Sequence, residues 1–413
     1  MGKLNLFYLD MTYPIEYQGE TFLATEMQYM ETKKVDKFVF PIWANRKKEP
    51  QVKLNVQIVD TVPQYSKFNR IQYCIKALFN KEFHTEFQVL RRSKRLTLKN
   101  LIKALCFVAQ GEFLAKGFVR YIRGNIPRGS ELVLYSYWLH LDAYVAVKTH
   151  QELKDTYKIR SLSRCHRFDI YEYVQNGYIP CRDMLLAGLN KVIPISSDAK
   201  NYLLNHYSID PEKIKVSRLG TINQGIRLSP KQKTLKILSC SWMRKVKRNS
   251  LIFEAIKDLD FDVEWTHIGV GEEYEQIKAA IENLQKPNVR CKLLGKIPND
   301  AVIEYYRNND FNIFVNVSAS EGVPVSIMEA MSFGKVIIAT DVGGSKEVVE
   351  ENTNGFLLNL DFKIDELKAL FQKIYDMDEE RYLNMCRESR RIWEDKCDAE
   401  LNYKYFNKFL IAE

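Results

Sequence analysis

The sequence contains no run of roughly 18 uninterrupted apolar residues, so no segment qualifies as a membrane-spanning helix. Its opening, MGKLNLFYLDMTYP, lacks the long apolar stretch and small-residue cleavage site of a signal peptide. Leu6 also stands where a myristoylation signal at Gly2 requires Ser or Thr, so a cytoplasmic location is expected. Eight cysteines are scattered without a CxxC pair, and six histidines form no HExxH or Cys/His cluster. That scarcity of ligand spacing argues against zinc, dithiol-redox and disulfide-scaffold roles and leaves the thiols reduced and mostly buried. Repeats and low-complexity segments are absent too. What is plentiful is core material, 46% hydrophobic and 12% aromatic, in a 413-residue chain too long for one core, which points to two domains.

Charge is unevenly placed. The net charge is +9, and residues 88–130 carry ten Lys and Arg against the single acid Glu112. On a helix, Arg92, Arg95, Lys99 and Lys103 share one face while Leu98, Leu101, Ile102 and Leu105 share another. That pattern suits an anionic membrane surface reached through residues 88–130, with the protein peripheral on the inner face of the cell membrane. It equally fits an ordinary amphipathic helix with a solvated basic side. No DNA- or RNA-binding motif accompanies the charge, so nucleic acid is not an expected partner.

Short β-rich runs such as KLNLFYL, KFVFPI, ELVLYSYW, KVIPIS, KIKVSRL, TLKILSCS, VEWTHIG, FNIFVNV and KVIIAT alternate with helical patterns. This is the signature of an α/β chain with parallel sheets covered on both faces. The polar stretch GTINQGIRLSPKQK at 220–233 reads as a hinge, and beyond residue 379 the pattern is helical. The expected divisions are 1–225, 226–378 and a helical segment 379–413.

The block FVNVSASEGVPVSIMEAMSFGKVIIATDVGG at 314–344 carries the chemistry. It reads as strand, Ser/Gly loop, helix opened by Pro324 and ended near Gly334, strand, and a Gly343-Gly344 turn. Glu321 precedes the helix and Glu329 lies inside it. The stretch from Pro324 to Glu329 spans roughly 8 Å, about a pyrophosphate bridge. Free amides and the positive dipole end at the helix start suit a phosphate, and ionised glutamates accept hydrogen bonds from sugar diols.

EGVPVSIMEAMSFGKVIIATDVGG resembles the donor-binding signature of the retaining glycosyltransferases of family 4, of the bacterial surface-polysaccharide type. The resemblance implies the GT-B fold: two Rossmann-like domains facing a central cleft, acceptor side first and nucleotide-sugar side second, with a C-terminal helix crossing back to the N-terminal domain. It assigns Glu321 to donor-sugar hydroxyls, Glu329 to the ribose, and the amides of Gly322 and Val323 to sugar or phosphate. SCSWMRKVKRNSLIFEAI at 239–256 resembles the family's pyrophosphate-holding element, with Lys247 on its lysine and Arg248 beside it. The usual arginine five positions earlier is replaced by Trp242, leaving Arg244 to supply that charge. VRCKLLGKIPNDAVIEYYRNND resembles the base-reading segment, making Lys296 and Ile297 base contacts. His166 matches a histidine facing the donor sugar, and Gly19 in YPIEYQGETF matches a loop where the backbone approaches the donor, with Glu20 capping the next helix or touching the acceptor.

The resemblance thus implies a catalytic set of Glu321, His166 and Lys247, with no metal and no cofactor beyond a nucleotide-sugar donor, UDP-sugar favoured over GDP-sugar. It likewise implies a glycan or lipid-linked saccharide as acceptor and a hexose as the transferred group. The acidic pair Asp258 and Asp260 in DLD sits at a helix end, far in sequence from the glutamates, and is read as solvated charge. Gly269-Val270-Gly271 lacks the third glycine of a dinucleotide fingerprint, Tyr274 standing there, and is read as a tight turn. The rival reading is a non-catalytic sugar-nucleotide-binding or scaffolding subunit with the same fold, for which Trp242 speaks and the glutamate pair and Lys247 do not.

Overall fold

Side chains that alternate between two buried layers set the architecture of each half of the chain. The structure is a computed structural model describing residues 4–15, 21–30, 35–44, 48, 56–228 and 230–412. It divides into two units, one of Met1–Ser217 with Tyr403–Glu413, the other of Arg218–Asn402.

Among the described residues, the first unit holds a six-stranded parallel sheet of β1 (Leu4–Asp10), β2 (Val35–Pro41), β3 (Gln57–Ile58), β4 (Glu131–Ser136), β5 (Lys158–Cys165) and β6 (Lys191–Pro194). Their order is β3-β2-β1-β4-β5-β6. Phe7 and Leu9 of β1 face one core with Leu132 and Leu134 of β4 and the helix Leu98–Asn125. Leu6 and Tyr8, one residue out of phase, face the other core with Tyr135 and the C-terminal Phe406, Phe409 and Leu410. Burial on both sides explains why these strands read as continuous apolar runs.

The second unit repeats the plan with β7 (Leu235–Cys240), β8 (Val263–Ile268), β9 (Val289–Leu293), β10 (Ile313–Asn316), β11 (Val336–Thr340) and β12 (Gly355–Leu358). The order β12-β11-β10-β7-β8-β9 is the same arrangement, again all parallel.

Two expectations change. KIKVSRL at 213–219 forms only an isolated bridge between Ile214 and Val192. Lys215 and Ser217 donate to the carbonyls of Val192 and Pro194, but Pro194 has no N–H to return a bond, so the ladder stops. Residues 379–413 are not one segment. The helix Glu379–Lys396 packs in the second unit, where Ser389 donates to the Lys335 carbonyl and Arg390 to that of Ser332, while Tyr403 onward joins the first.

The first unit also buries an ion pair. Arg164 and Glu26 lie 3.0 Å apart with no side-chain exposure. Arg164 donates further to the Tyr135 hydroxyl (2.9 Å) and the Ser217 carbonyl (3.0 Å), and its guanidinium sits 4.2 Å from the Phe406 ring centroid. Breaking such a pair from one side strands the other charge, so Glu26→Gln should cost about 3 kcal/mol and lower the thermal unfolding midpoint. An unchanged midpoint would show that the pair does not secure this unit.

Candidate functional site

Both sheets reverse their strand order once, between β1 and β4 and between β7 and β10. Where neighbouring strands lead away in opposite directions, a crevice opens at their carboxyl ends. In the second unit the loops bordering it run from Ser241 after β7 and from Val317 after β10.

Those loops bring together the residues singled out by sequence. Lys247, in the short 3₁₀ turn Lys245–Lys247, places its Nζ 2.5 Å from Oε1 of the largely buried Glu321. Asn316 at the end of β10 donates to the same oxygen at 3.3 Å. Its own carbonyl oxygen accepts from the Ser318 hydroxyl at 2.6 Å and backbone N–H at 3.2 Å, which fixes the amide's orientation. Asn316 and Ser318 escape sequence reasoning; their only signal is polarity at the end of an apolar strand.

Two glycines hold the loops in place. A Cβ at Gly343, where φ is +55°, would lie 2.0 Å from the Glu321 carbonyl oxygen, and the Gly344 N–H donates to Gly322. A Cβ at Gly269, where φ is +139°, would lie 1.9 Å from the Ser241 carbonyl oxygen. Only glycine permits either approach. Gly269-Val270-Gly271 is thus the brace of the loop bearing Trp242, with Met243 N–H donating to the Val270 carbonyl.

The helix Val325–Ser332 starts after Pro324 with no side-chain cap. Among the described residues no protein acceptor takes the amides of Gly322 or Val323, which leaves donors and the helix dipole directed at the crevice. Glu329, on this helix, accepts from Asn299 Nδ2 at 3.1 Å. Burial pushes its carboxyl up to about 7, the Asn299 bond only partly opposing it.

A pocket of about 220 Å³ adjoins β7, lined by Cys240, Trp242, Gly269, Val270, Lys296 and Ile297. The half-exposed Trp242 ring has Lys296 Nζ at 5.5 Å and the exposed Arg244 guanidinium at 5.6 Å from its centroid. Arg248 takes a left-handed backbone and turns inward. Its Nε donates to the Val317 carbonyl (2.7 Å) and Nη1 to that of Leu360 (2.6 Å), leaving Nη2 without a protein partner among the described residues. Asp258 and Asp260 are paired with Lys368 and Lys286 at the surface, each at 3.2 Å.

In the first unit, His166 directly follows β5 as a buried side chain packed on the rings of Tyr137 and Trp138 at 4.7 and 4.6 Å. Among the described residues neither ring nitrogen has a protein partner. Burial, with the charge of Arg164, holds the imidazole neutral, and Asp169 pins its backbone N–H at 2.6 Å. Gly19 and Glu20 lie outside the described residues.

Residues 225–391 match the family model described as glycosyl transferases group 1. This part of the chain is a group 1 glycosyltransferase domain. The chain is 27% identical over 175 residues to the amylovoran biosynthesis glycosyltransferase AmsK of Erwinia amylovora, covering 41% of this chain and 40% of that protein. Likewise it is 25% identical over 254 residues to the putative colanic acid biosynthesis glycosyltransferase WcaL of Escherichia coli K12 (58% and 60% covered). To the O-antigen biosynthesis glycosyltransferase WbnH of Escherichia coli it is 29% identical over 188 residues (45% and 50%). The match thus spans two-fifths to three-fifths of the length of these relatives. Among solved structures, the lipopolysaccharide outer core galactosyltransferase WaaB superposes with a TM-score of 0.69 at 14% identity, covering 99% of both chains. HepE of Anabaena, in complex with UDP and glucose, gives 0.66 at 13%, with 99% of both covered. These likenesses establish the GT-B fold.

The buried Glu329 gives a pH test. Its carboxyl binds a proton more tightly folded than unfolded, so it costs stability as pH rises from the unfolded value near 4.5 to about 7. Glu329→Gln should therefore raise the unfolding midpoint above pH 7, with the gain vanishing toward pH 4. Equal midpoints for the variant and wild type at pH 8 would contradict this.

Proposed function

We propose that the protein is a metal-independent, retaining glycosyltransferase that moves a hexose from a nucleotide sugar, UDP-linked rather than GDP-linked, to a glycan or lipid-linked acceptor in surface-polysaccharide assembly. The observation that carries this reading is the Lys247–Glu321 contact at the strand reversal, beside amides without acceptors and a pocket of about 220 Å³. The printed roles of AmsK, WcaL and WbnH in polysaccharide biosynthesis support the pathway, and UDP-sugar complexes of HepE support the donor.

In the reaction, the bond from the anomeric carbon to the β-phosphate oxygen breaks, that oxygen keeping the electron pair, and the acceptor hydroxyl oxygen bonds to the carbon while its proton passes to the departing phosphate oxygen. Negative charge grows on the departing phosphate, and preorganised positive groups lower the barrier. Lys247 and the amides of Gly322 and Val323 supply them, Arg244 adding charge from beside Trp242. Arg248 acts mainly as a positioning residue, fixing the Val317 carbonyl ahead of the glutamate loop, with Nη2 left for phosphate. Glu321 binds sugar hydroxyls, Glu329 the ribose, and Lys296 and Ile297 border the base. We assign His166 a neutral hydrogen bond to the sugar and Gly19 a close backbone approach to the donor.

Calorimetric titration with UDP- and GDP-sugars, with turnover followed by mass spectrometry in chelator, tests the reading. A UDP-sugar should bind and be slowly hydrolysed without added metal. Lys247→Ala should weaken UDP binding at least about tenfold, the scale of one charge-assisted hydrogen bond. Glu321→Ala should mainly reduce turnover, by roughly a hundredfold. Absence of binding to any donor would favour the scaffolding alternative, and unchanged UDP affinity in the lysine variant would remove the phosphate role.

A further inference from the structure

The residues expected to meet a membrane behave differently from the pattern they suggested. Arg92 ends the helix Lys81–Arg92 and Leu98 starts the helix Leu98–Asn125, with Lys94 left-handed between them and Thr97 capping Asn100, so the basic positions do not form one helical face. Arg95 is paired with Glu172 at 2.6 Å, and Lys103 donates to the Tyr178 carbonyl at 2.7 Å. Leu101 and Leu105 pack on the first unit's core.

The apolar surface lies one element earlier. On the helix Lys67–Ala77 and the two residues after it, Phe68, Ile71, Ile75, Leu78 and Phe79 are exposed at 75%, 66%, 57%, 44% and 83%. At 100° per residue they occupy an arc of about 100°. The opposite side is inward: Ala77 is buried, Tyr73 packs edge-on to Phe113, and Arg70 reaches Cys106. Ile102, one turn before Cys106, and Leu98 extend the exposed apolar set at 51% and 74%. Five large apolar side chains on one solvent-facing arc exceed the scattered exposure normal for a soluble surface.

Charge identifies what covers them. From Ser66 to Lys103 the chain carries ten Lys and Arg, of which Arg95 and Lys103 are engaged as above, and only two carboxylates. Both acids are engaged: Glu82, its side chain 16% exposed, is paired with Lys148 at 2.6 Å, and Glu86 is buried and accepts from the Tyr178 hydroxyl at 2.7 Å. Lys67 and Lys76 project on either side of the apolar arc and are exposed, as are Lys81 and Lys99. Trp43, 55% exposed, lines one pocket with Lys67 and Arg70, placing an amphipathic ring beside the helix start. A protein partner would have to bring acids to a rim and apolar groups to a centre over this whole span, whereas an anionic lipid leaflet presents both everywhere.

We propose that the Lys67–Ala77 helix with Leu78 and Phe79 is an in-plane membrane anchor, its apolar arc inserted among acyl chains and its flanking lysines on anionic headgroups. The anchor is independent of the donor chemistry and acts without a spanning helix; among the described residues no helix is long and apolar enough to cross a bilayer.

Co-sedimentation of the purified full chain with phosphatidylcholine vesicles, with and without phosphatidylglycerol, tests it. Binding should require phosphatidylglycerol. Phe68→Ser with Phe79→Ser should weaken it at least about tenfold, and Lys67→Gln with Lys76→Gln roughly fivefold per cation. UDP affinity and unfolding midpoint, measured without vesicles, should match wild type in both variants, which separates failure of the anchor from failure of the donor site. Undiminished sedimentation of the phenylalanine variant would overturn the proposal. So would absence of vesicle binding by the wild type, including the case where the same variant converts a dimer to a monomer in sedimentation velocity, which would make this face a self-association surface.

Discussion

Lys247 and Glu321 meet at the point where strand order reverses, and the surroundings of the second unit serve to keep them there. The cation is delivered by the turn after β7 and the acid by the loop after β10, so their contact exists only because these strands are neighbours. Without a ligand the two charges satisfy each other. On the proposed reading, a diphosphate draws Lys247 away and so frees Glu321 to accept from hydroxyls. Binding of that kind exchanges one ion pair for two sets of charge-assisted contacts, in place of holding either charge bare in a half-buried crevice.

The braces around this pair are backbone features. Gly343 allows the turn after β11 to touch the Glu321 carbonyl, and Gly269 allows the end of β8 to touch the Ser241 carbonyl. Arg248 spends two nitrogens on the carbonyls of Val317 and Leu360. Trp242 occupies the place of a familiar arginine, yet Arg244 and Lys296 flank its ring, so positive charge remains at the pocket mouth on different residues. Glu329 is the component that costs stability, as expected of a carboxyl kept buried for a purpose other than folding.

The fold is legible where both faces of a strand are buried, because continuous runs such as FNIFVNV and KVIIAT have no other ready explanation. It is not legible at β3, two residues long, or at β12, whose GFLL is too short for any period to show. The 213–219 run has the composition of a strand and fails because of Pro194 on its neighbour, which no local window contains. The glutamate pair is legible only through the resemblance of the whole 321–344 block, since two glutamates at such a spacing are ordinary helix charges, whereas Asn316 and Ser318 are invisible because a single amide and a hydroxyl make no pattern. Charge density singles out residues 88–130, but it does not reveal which side of an amphipathic helix faces inward. In Lys67–Ala77, Ala77 and Tyr73 pack inside while Phe68, Ile71 and Ile75 remain outside.

The most direct measurement of the central claim is a crystal structure of the protein with UDP bound. The account predicts β-phosphate oxygens within hydrogen-bond distance of Lys247 Nζ and of the Gly322 and Val323 amides, with Lys247 withdrawn from Glu321. A nucleotide lodged elsewhere, with Lys247 still on Glu321, would contradict it.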